Sequence, residues 1–438
     1  MAAPAVAPKP GRVFYGWYIV AANVAIAFIG GFHFNSGSVY FLPMAESLNL
    51  TRTQLSFVFA AARLEGGIEG PAIGWLIDRI GTRKLIMIGV AMCAVGYFVL
   101  GTMVDSFPKL LLVYLIFIST GASLGFFAPL MAAANNWFVR KRTVALSFTN
   151  MASRGSGFIL TPFLSYMVLS IGWQSAAMVA AVAMVAVVFS VVWVHRPSPE
   201  RMGLLPDGDP PTPPGAVTDG RAGHGAVHRR PVGADFTAKE ALRTRAFWML
   251  TAALSLRFLI GGGLAVHLIA ILVWKGLDRQ QAANMVGLMA LIGIPAVLFF
   301  GWAGDRFTKK IVIAVGVTSG ALGAWTLGLS TEIWHLYIYI VLNGIAEASF
   351  PVGVSLSGEY FGRKSFATVR GISQLFTSIA VFTGTVFAGW VWDQTGSYKG
   401  AIVPMAALTS LAIPLFLLLR PPPPPRRSEG TPAAAVAS

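Results

Sequence analysis

Apolar positions along the chain gather into twelve long blocks, broken by short polar stretches and by one long one. A hydrocarbon core about 30 Å thick needs about 20 apolar residues per helix. On that criterion the predicted spans are 14–44, 53–77, 85–104, 110–138, 143–170 and 174–195, then 247–274, 282–303, 311–331, 333–358, 366–391 and 399–419. The first block follows Lys9 and Arg12 but exceeds a signal-peptide core, so it is expected to stay as an uncleaved helix.

The long polar stretch, 196–246, contains Pro197, Pro199, Pro206, Pro210, Pro211, Pro213, Pro214 and Pro231 together with seven glycines. Such a segment buries too little apolar area to offset its ordering entropy, so a mobile linker is expected. It ends in Thr237-Ala-Lys-Glu240, the spacing of a capping box, which predicts a short amphipathic helix on the membrane surface leading into span seven. After the last span, 421–438 opens with five prolines and is expected to be disordered. The predicted organisation is a six-helix bundle over 1–195, a linker over 196–246, a second six-helix bundle over 247–420, and the tail.

Composition agrees with this pattern. Hydrophobic residues make up 55% of the 438 positions and charged residues 12%, where a soluble domain carries about 25% charged. That excludes an ordinary soluble enzyme and a disordered chain alike. The net charge of +15 would suggest nucleic acid in a soluble protein, but here its placement decides. With both termini in the cytoplasm, the cytoplasmic segments hold 24 of the 33 basic residues. The opposite loops hold five, Arg52, Lys109, Lys275, Arg279 and Lys399, and Arg63, Arg154, Arg257 and Arg370 lie inside spans. The excess positive charge is therefore a topology signal against an anionic lipid surface, and no nucleic acid is expected. The single cysteine, Cys93, excludes an internal disulfide and a cysteine-rich metal site.

The two halves repeat each other. Gly74-Trp-Leu-Ile-Asp78-Arg79-Ile-Gly81-Thr-Arg83-Lys84 follows span two, and Gly301-Trp-Ala-Gly304-Asp305-Arg306-Phe-Thr-Lys309-Lys310 follows span eight. Trp137-Phe138-Val-Arg140-Lys141 ends span four as Tyr360-Phe361-Gly-Arg363-Lys364 ends span ten. Repeated six-helix halves are how many transporters alternate access around a central site. With these motifs in register, the chain resembles the major facilitator superfamily. The resemblance implies an all-α membrane protein of twelve helices in two pseudo-symmetric bundles. It also implies that Gly74, Asp78, Arg79, Gly81 and Arg83 form a conformational latch, with Asp305 and Arg306 as its weaker second copy. Phe138-Val-Arg140-Lys141-Arg142-Thr-Val-Ala145 and Gly16-Trp17 resemble signatures of the monocarboxylate porter and oxalate–formate antiporter-like branch. Drug/proton antiporters carry a Gly-Pro motif in their fifth helix, where this chain has Gly157-Phe-Ile-Leu-Thr161-Pro162.

Charges inside the hydrocarbon cost at least ~2.5–3.5 kcal/mol each on insertion scales and mark pathways. They occupy spans two (Arg63, Glu65, Glu69), five (Arg154), seven (Arg257), ten (Glu347, Glu359) and eleven (Arg370). Spans three, six, nine and twelve, peripheral in the resembled fold, have none in their interiors. Glu359 and Arg370 lie near span ends, where an ion pair or a loop anchor is expected. Glu65 and Glu69 share a helix face, and Arg63 lies about 160° from Glu65. The two glutamates read either as proton carriers or as partners of Arg63 or Arg154, and Arg63 as either a pairing or a site residue. Arg257, near mid-depth, is the first choice for an anion receptor because a guanidinium can bond both oxygens of a carboxylate. Arg154, Tyr40, Asn135 and Glu347 are further candidates for substrate binding. Pro351 frees the carbonyl of Glu347, as Pro129 frees that of Gly125 in span four, and broken helices at matching positions point to a binding site. His267, roughly 15 Å beyond Arg257 along the same helix, is read as an outer gate, a proton path or a satisfied polar side chain.

There is no phosphate-loop, His-Glu-x-x-His or cysteine/histidine metal motif, so no enzyme, cofactor or metal is expected. The expected function is secondary transport of a small, anionic solute, a monocarboxylate moving with protons, by a monomer in the inner membrane. Export or exchange of another small molecule, drug-like or dicarboxylate, and a non-transporting receptor remain as alternatives.

Overall fold

The computed structural model describes residues 13–138, 141–196, 198–208, 236–362 and 366–423. The linker expectation for 209–235, the tail expectation for 424–438, and Arg140, Arg363 and Lys364 of the two loop motifs lie outside the described residues. The side chains of Asp78 and Arg142 do so as well.

Twelve membrane helices follow the twelve blocks. They are α1 (Tyr15–Ser47), α2 (Arg52–Ile80), α3 (Thr82–Thr102), α4 (Phe107–Trp137), α5 (142–171) and α6 (173–191) in the first half. The second half has α7 (Arg245–Gly261 and Leu268–Trp274), α8 (Arg279–Arg306), α9 (Lys309–Leu329), α10 (Ile333–Ala348 and Phe350–Phe361), α11 (Phe366–Thr395) and α12 (Lys399–Ser410 and Ala412–Leu418). Length and hydropathy alone would miss α2 and α7 among the described residues. The first carries too many charges and the second is interrupted.

Local chemistry sets the boundaries. Thr51 with Gln54 starts α2 and Asp278 with Gln281 starts α8, each as a full capping box. The capping box at Thr237 also forms, with the Thr237 amide donating to Glu240 Oε2 at 2.8 Å, and starts the one-turn helix Ala238–Leu242. Gly172, at φ 81°, makes the sharp joint between α5 and α6 that a residue with a Cβ would resist. Pro129 and Pro351 interrupt α4 and α10 as their lack of an N–H requires. Helix α4 reaches Pro129 through two wide π-helical stretches, Val113–Ser119 and Ser123–Phe127, and α10 breaks at Ser349.

The halves meet along two seams, α2 against α11 and α5 against α8. At the second seam Gly157 faces Ala290, and Gly287 lies against Phe158 and Pro162, so the helices approach closely. On the face away from the termini the halves are bolted together. Asp393, near the end of α11, accepts from the amides of Arg52 and Thr53 at 3.0 and 2.8 Å and from Thr53 Oγ1 at 2.5 Å. It thereby satisfies orphan donors at the start of α2 from across the molecule. The Arg52 guanidinium lies 3.5 Å over the Trp392 ring and donates to the Tyr398 hydroxyl at 2.8 Å. Glu46 pairs with Arg279 on the same face.

Candidate functional site

Between the halves lies a cavity of about 660 Å³, within the ordinary range for a small-molecule site. Its described walls come from α1, α2, α4, α7, α8, α10 and α11, and none from α3, α6, α9 or α12. The four peripheral helices, which carry no internal charge, are therefore all away from it, while α1, α4 and α8 line it without a carboxylate, lysine or arginine among the described residues.

Arg63 of α2 and Glu347 of α10 are the charged acid–base pair on this wall among the described residues, one from each half. They are near enough for their charges to interact. Arg63 is open to the cavity, with Nη1 donating to the Gly262 carbonyl at 3.1 Å. That carbonyl keeps only a long backbone bond, from the Ala265 amide at 3.4 Å, because α7 unwinds after Gly261, in the run Gly261-Gly262-Gly263. Glu347 packs against Gly261, where a Cβ would come within 2.7 Å of Oε1. His33, whose Nδ1 lies 3.2 Å from the Tyr97 hydroxyl, adds a polar edge.

Arg257 and Arg154 sit behind this wall and not on it. The break at Pro351 explains both. Arg257, 6% exposed, donates from Nη2 to the Ala346 carbonyl at 2.8 Å, and Arg154 points Nη2 at the Glu347 carbonyl at 3.5 Å. Two arginines from α5 and α7 thus converge on the backbone carbonyls at the break of α10, where Ser349 also donates to the Ala346 carbonyl, from its amide at 3.1 Å and its hydroxyl at 2.8 Å. The arginine presented to the cavity is Arg63.

The other expected residues are dispersed. Tyr40 is buried away from the cavity, with no partner for its hydroxyl among the described residues. Asn135 lies in the last turn of α4, off the cavity, and is engaged by neighbours. Glu65 accepts from Thr120 Oγ1 at 2.8 Å, and neither it nor Glu69 pairs with Arg63 or Arg154 among the described residues. One oxygen of each glutamate is buried without a partner. His267 is fully buried at the closed face, with Nε2 3.0 Å from both Ser56 Oγ and the Thr385 carbonyl, and Nδ1 3.0 Å from Tyr398. It belongs to the bolt between the halves. Glu359 pairs with Lys309 at 2.8 Å and so anchors a loop, while Arg370 reaches Gln374 at 3.3 Å.

At the termini face each described latch arginine stacks on a tryptophan. Arg79 lies over Trp75 at 5.2 Å, Arg83 over Trp193 at 3.9 Å, and Arg306 over Trp302 at 5.8 Å. Asp305 is exposed, Gly74 has open space around it, and Gly81 turns the chain at φ 82°.

Sequence reasoning found Glu347 but passed over its uncharged neighbours on the wall. Tyr339 and Asn343 precede Glu347 at four-residue spacing on one stripe of α10, and Gln374 and Ser378 have the same spacing on α11. Amides and hydroxyls at helical spacing were the signal that could have found them.

Comparison with known proteins agrees with this architecture. The family model described as Major Facilitator Superfamily matches residues 22–274 and 269–437. Monocarboxylate transporter 11 of Homo sapiens is 24% identical over 92% of this chain and 82% of its own length. The oxalate:formate antiporter of Oxalobacter formigenes is 27% identical over 92% of this chain and 91% of its own. A bacterial homolog of the human lysosomal transporter Spinster, solved inward-facing and occupied, superimposes with a TM-score of 0.72 at 16% identity. It covers 93% of this chain and 97% of its own. The repeated halves, the twelve helices and the cavity between the bundles are thus those of a family, and the chain is a multi-pass membrane transporter belonging to the Major Facilitator Superfamily.

Proposed function

We propose that the chain carries a small organic monocarboxylate together with a proton, with Arg63 as the anion receptor and Glu347 as the proton site facing it. The observation that carries this reading is the single open guanidinium on the cavity wall. A guanidinium binds one carboxylate through two parallel hydrogen bonds, and Arg154 and Arg257 are already engaged by backbone carbonyls of α10. No second arginine lines the cavity among the described residues, and the partnerless Nη1 of Arg257 is buried behind the wall. Glu347 makes proton coupling physically sensible. An anion approaching Arg63 meets the charge of Glu347, and neutralising that carboxylate removes the repulsion. Glu65 and Glu69, on the same helix but turned away from Arg63, would then relay the proton. A proton crossing 100 mV contributes about 2.3 kcal/mol. The two relatives named for monocarboxylate and for oxalate and formate handle carboxylates by their names, which favours an anion over a drug-like cation. The basic termini face would lie in the cytoplasm of a cell-membrane monomer.

The cavity volume supports a second reading, a larger organic anion held by Arg63 at one end and by the amides of Asn343 and Gln374 at the other. The test is uptake into proteoliposomes of labelled lactate, formate and a sugar acid, with and without an inside-alkaline gradient. Lactate or formate uptake stimulated by the gradient and abolished by a protonophore is expected. Uptake of the sugar acid alone would favour the larger anion. No uptake of any of the three would overturn both readings.

A further inference from the structure

A second cavity, of about 700 Å³, opens at the termini face, away from the transport pathway. It lies where α2 ends, α3 begins and the chain leaves α6. Arg79, Arg83, Lys84, Arg196 and Arg201 contribute its basic wall. The first turn of α3, a helix of 21 residues, also faces it, and its amides have no side-chain cap because the capping position is Gly81. Such a terminus favours an anion. An independent feature points the same way. His195 lines this cavity with 0% exposure, and neither of its ring nitrogens has a hydrogen-bond partner among the described residues. A buried imidazole without partners costs free energy, which a ligand accepting its N–H would recover.

The geometry points to a binding site for a phosphate group, held by Arg83, Arg196 and Arg201, by the amides at the start of α3, and by a hydrogen bond from His195. Phosphate suits this donor set because its several oxygens can accept from guanidinium forks and backbone amides together. Two sources share that chemistry, an anionic lipid headgroup and free phosphate. Trp193 is 56% exposed at the end of α6, and Arg83 stacks on it at 3.9 Å, so the cavity opens beside an indole suited to the headgroup level. This inference does not depend on the identity of the transported solute.

The test uses the full-length purified protein in neutral detergent, titrated with phosphatidylglycerol, with inorganic phosphate, and with phosphatidylcholine as control. Bound lipid is counted by native mass spectrometry and the melting midpoint is followed. Saturable phosphatidylglycerol binding, weakened roughly tenfold or more in the Arg196→Ala/Arg201→Ala pair and kept in the corresponding lysine pair, identifies the lipid. The same pattern with inorganic phosphate identifies the free ion. His195→Leu separates a binding role from a packing one: it is expected to raise the ligand-free midpoint while lowering affinity. Lys84→Glu, at an exposed position, gives the same loss of affinity should the arginine pair fold poorly. Absence of saturable binding by either probe, or equal affinity in all variants, overturns the inference.

Discussion

Arg63, Arg154 and Arg257 all enter the region between the halves, and their neighbours decide what each can do. Arg63 gives one N–H to Gly262 and offers the rest of its fork to the cavity. Arg257 is enclosed and bonded to Ala346. Replacing Arg63 with alanine removes cavity chemistry and little packing, so the melting midpoint is expected to stay within a degree or two while carboxylate uptake falls at least tenfold. Arg63→Lys should recover little of it, because an ammonium lacks the paired geometry. Arg257→Ala should cost about 1–3 kcal/mol of stability through the lost charge-assisted bond and the space left by a buried side chain, read as a lower midpoint in a thermal-shift assay. The opposite ranking, Arg63 structural and Arg257 neutral for stability, would reverse their roles. The sequence made all three legible as intramembrane charges, and its position near mid-depth favoured Arg257. It could not show which were spent on backbone carbonyls, since that depends on where α10 breaks in space relative to α5 and α7.

At the scale of the helix, interruptions place the chemistry. Proline at 129 and 351 was sufficient to foresee that α4 and α10 are broken, because the missing N–H acts locally. The gap in α7 between Gly261 and Leu268 was not foreseen. Three glycines permit it, but only packing against Val381, Gly384 and Met405 decides that the chain unwinds there. Both gaps turn carbonyls sideways, Gly262 toward Arg63 and Ala346 toward Arg257. Pro351→Ala restores a donor for the Glu347 carbonyl and competes with Arg154 for it. The variant is expected to keep or raise its thermal stability while its transport rate falls several-fold. A rate equal to that of the unaltered protein would mean that the break is incidental.

For the whole molecule, the Asp393 face and the termini face carry unlike devices. The closed face uses Asp393 as a cap on a helix of the other half, reinforced by Arg52, Tyr398, His267 and Ser56. At the termini face each described latch arginine lies over its own tryptophan. Asp393→Ala should release the bolt. Ser38 lines the cavity, so in a Cys93→Ala background a Ser38→Cys thiol should react several-fold faster with an impermeant maleimide applied from the Asp393 face. Unchanged labelling would show that other contacts hold that face shut. The twelve-helix architecture was readable because bilayer thickness fixes helix length. The bolt was not, since Asp393, Arg52 and Tyr398 come from positions that look like ordinary loop ends.

The division of the cavity's two charges between the halves bears on how an unloaded carrier resets. With no cargo present, Arg63 and Glu347 attract each other across the gap and leave the site electrically balanced, as bound anion and proton would. The empty protein can then cross back, and net movement down a gradient becomes feasible. In Glu347→Gln the guanidinium has no such stand-in, so the return leg should need an anion every time. Exchange of labelled for unlabelled carboxylate is expected to persist in that variant while net efflux slows at least tenfold, a ratio measurable in one set of preloaded vesicles. Equal slowing of both would place Glu347 in the binding step itself.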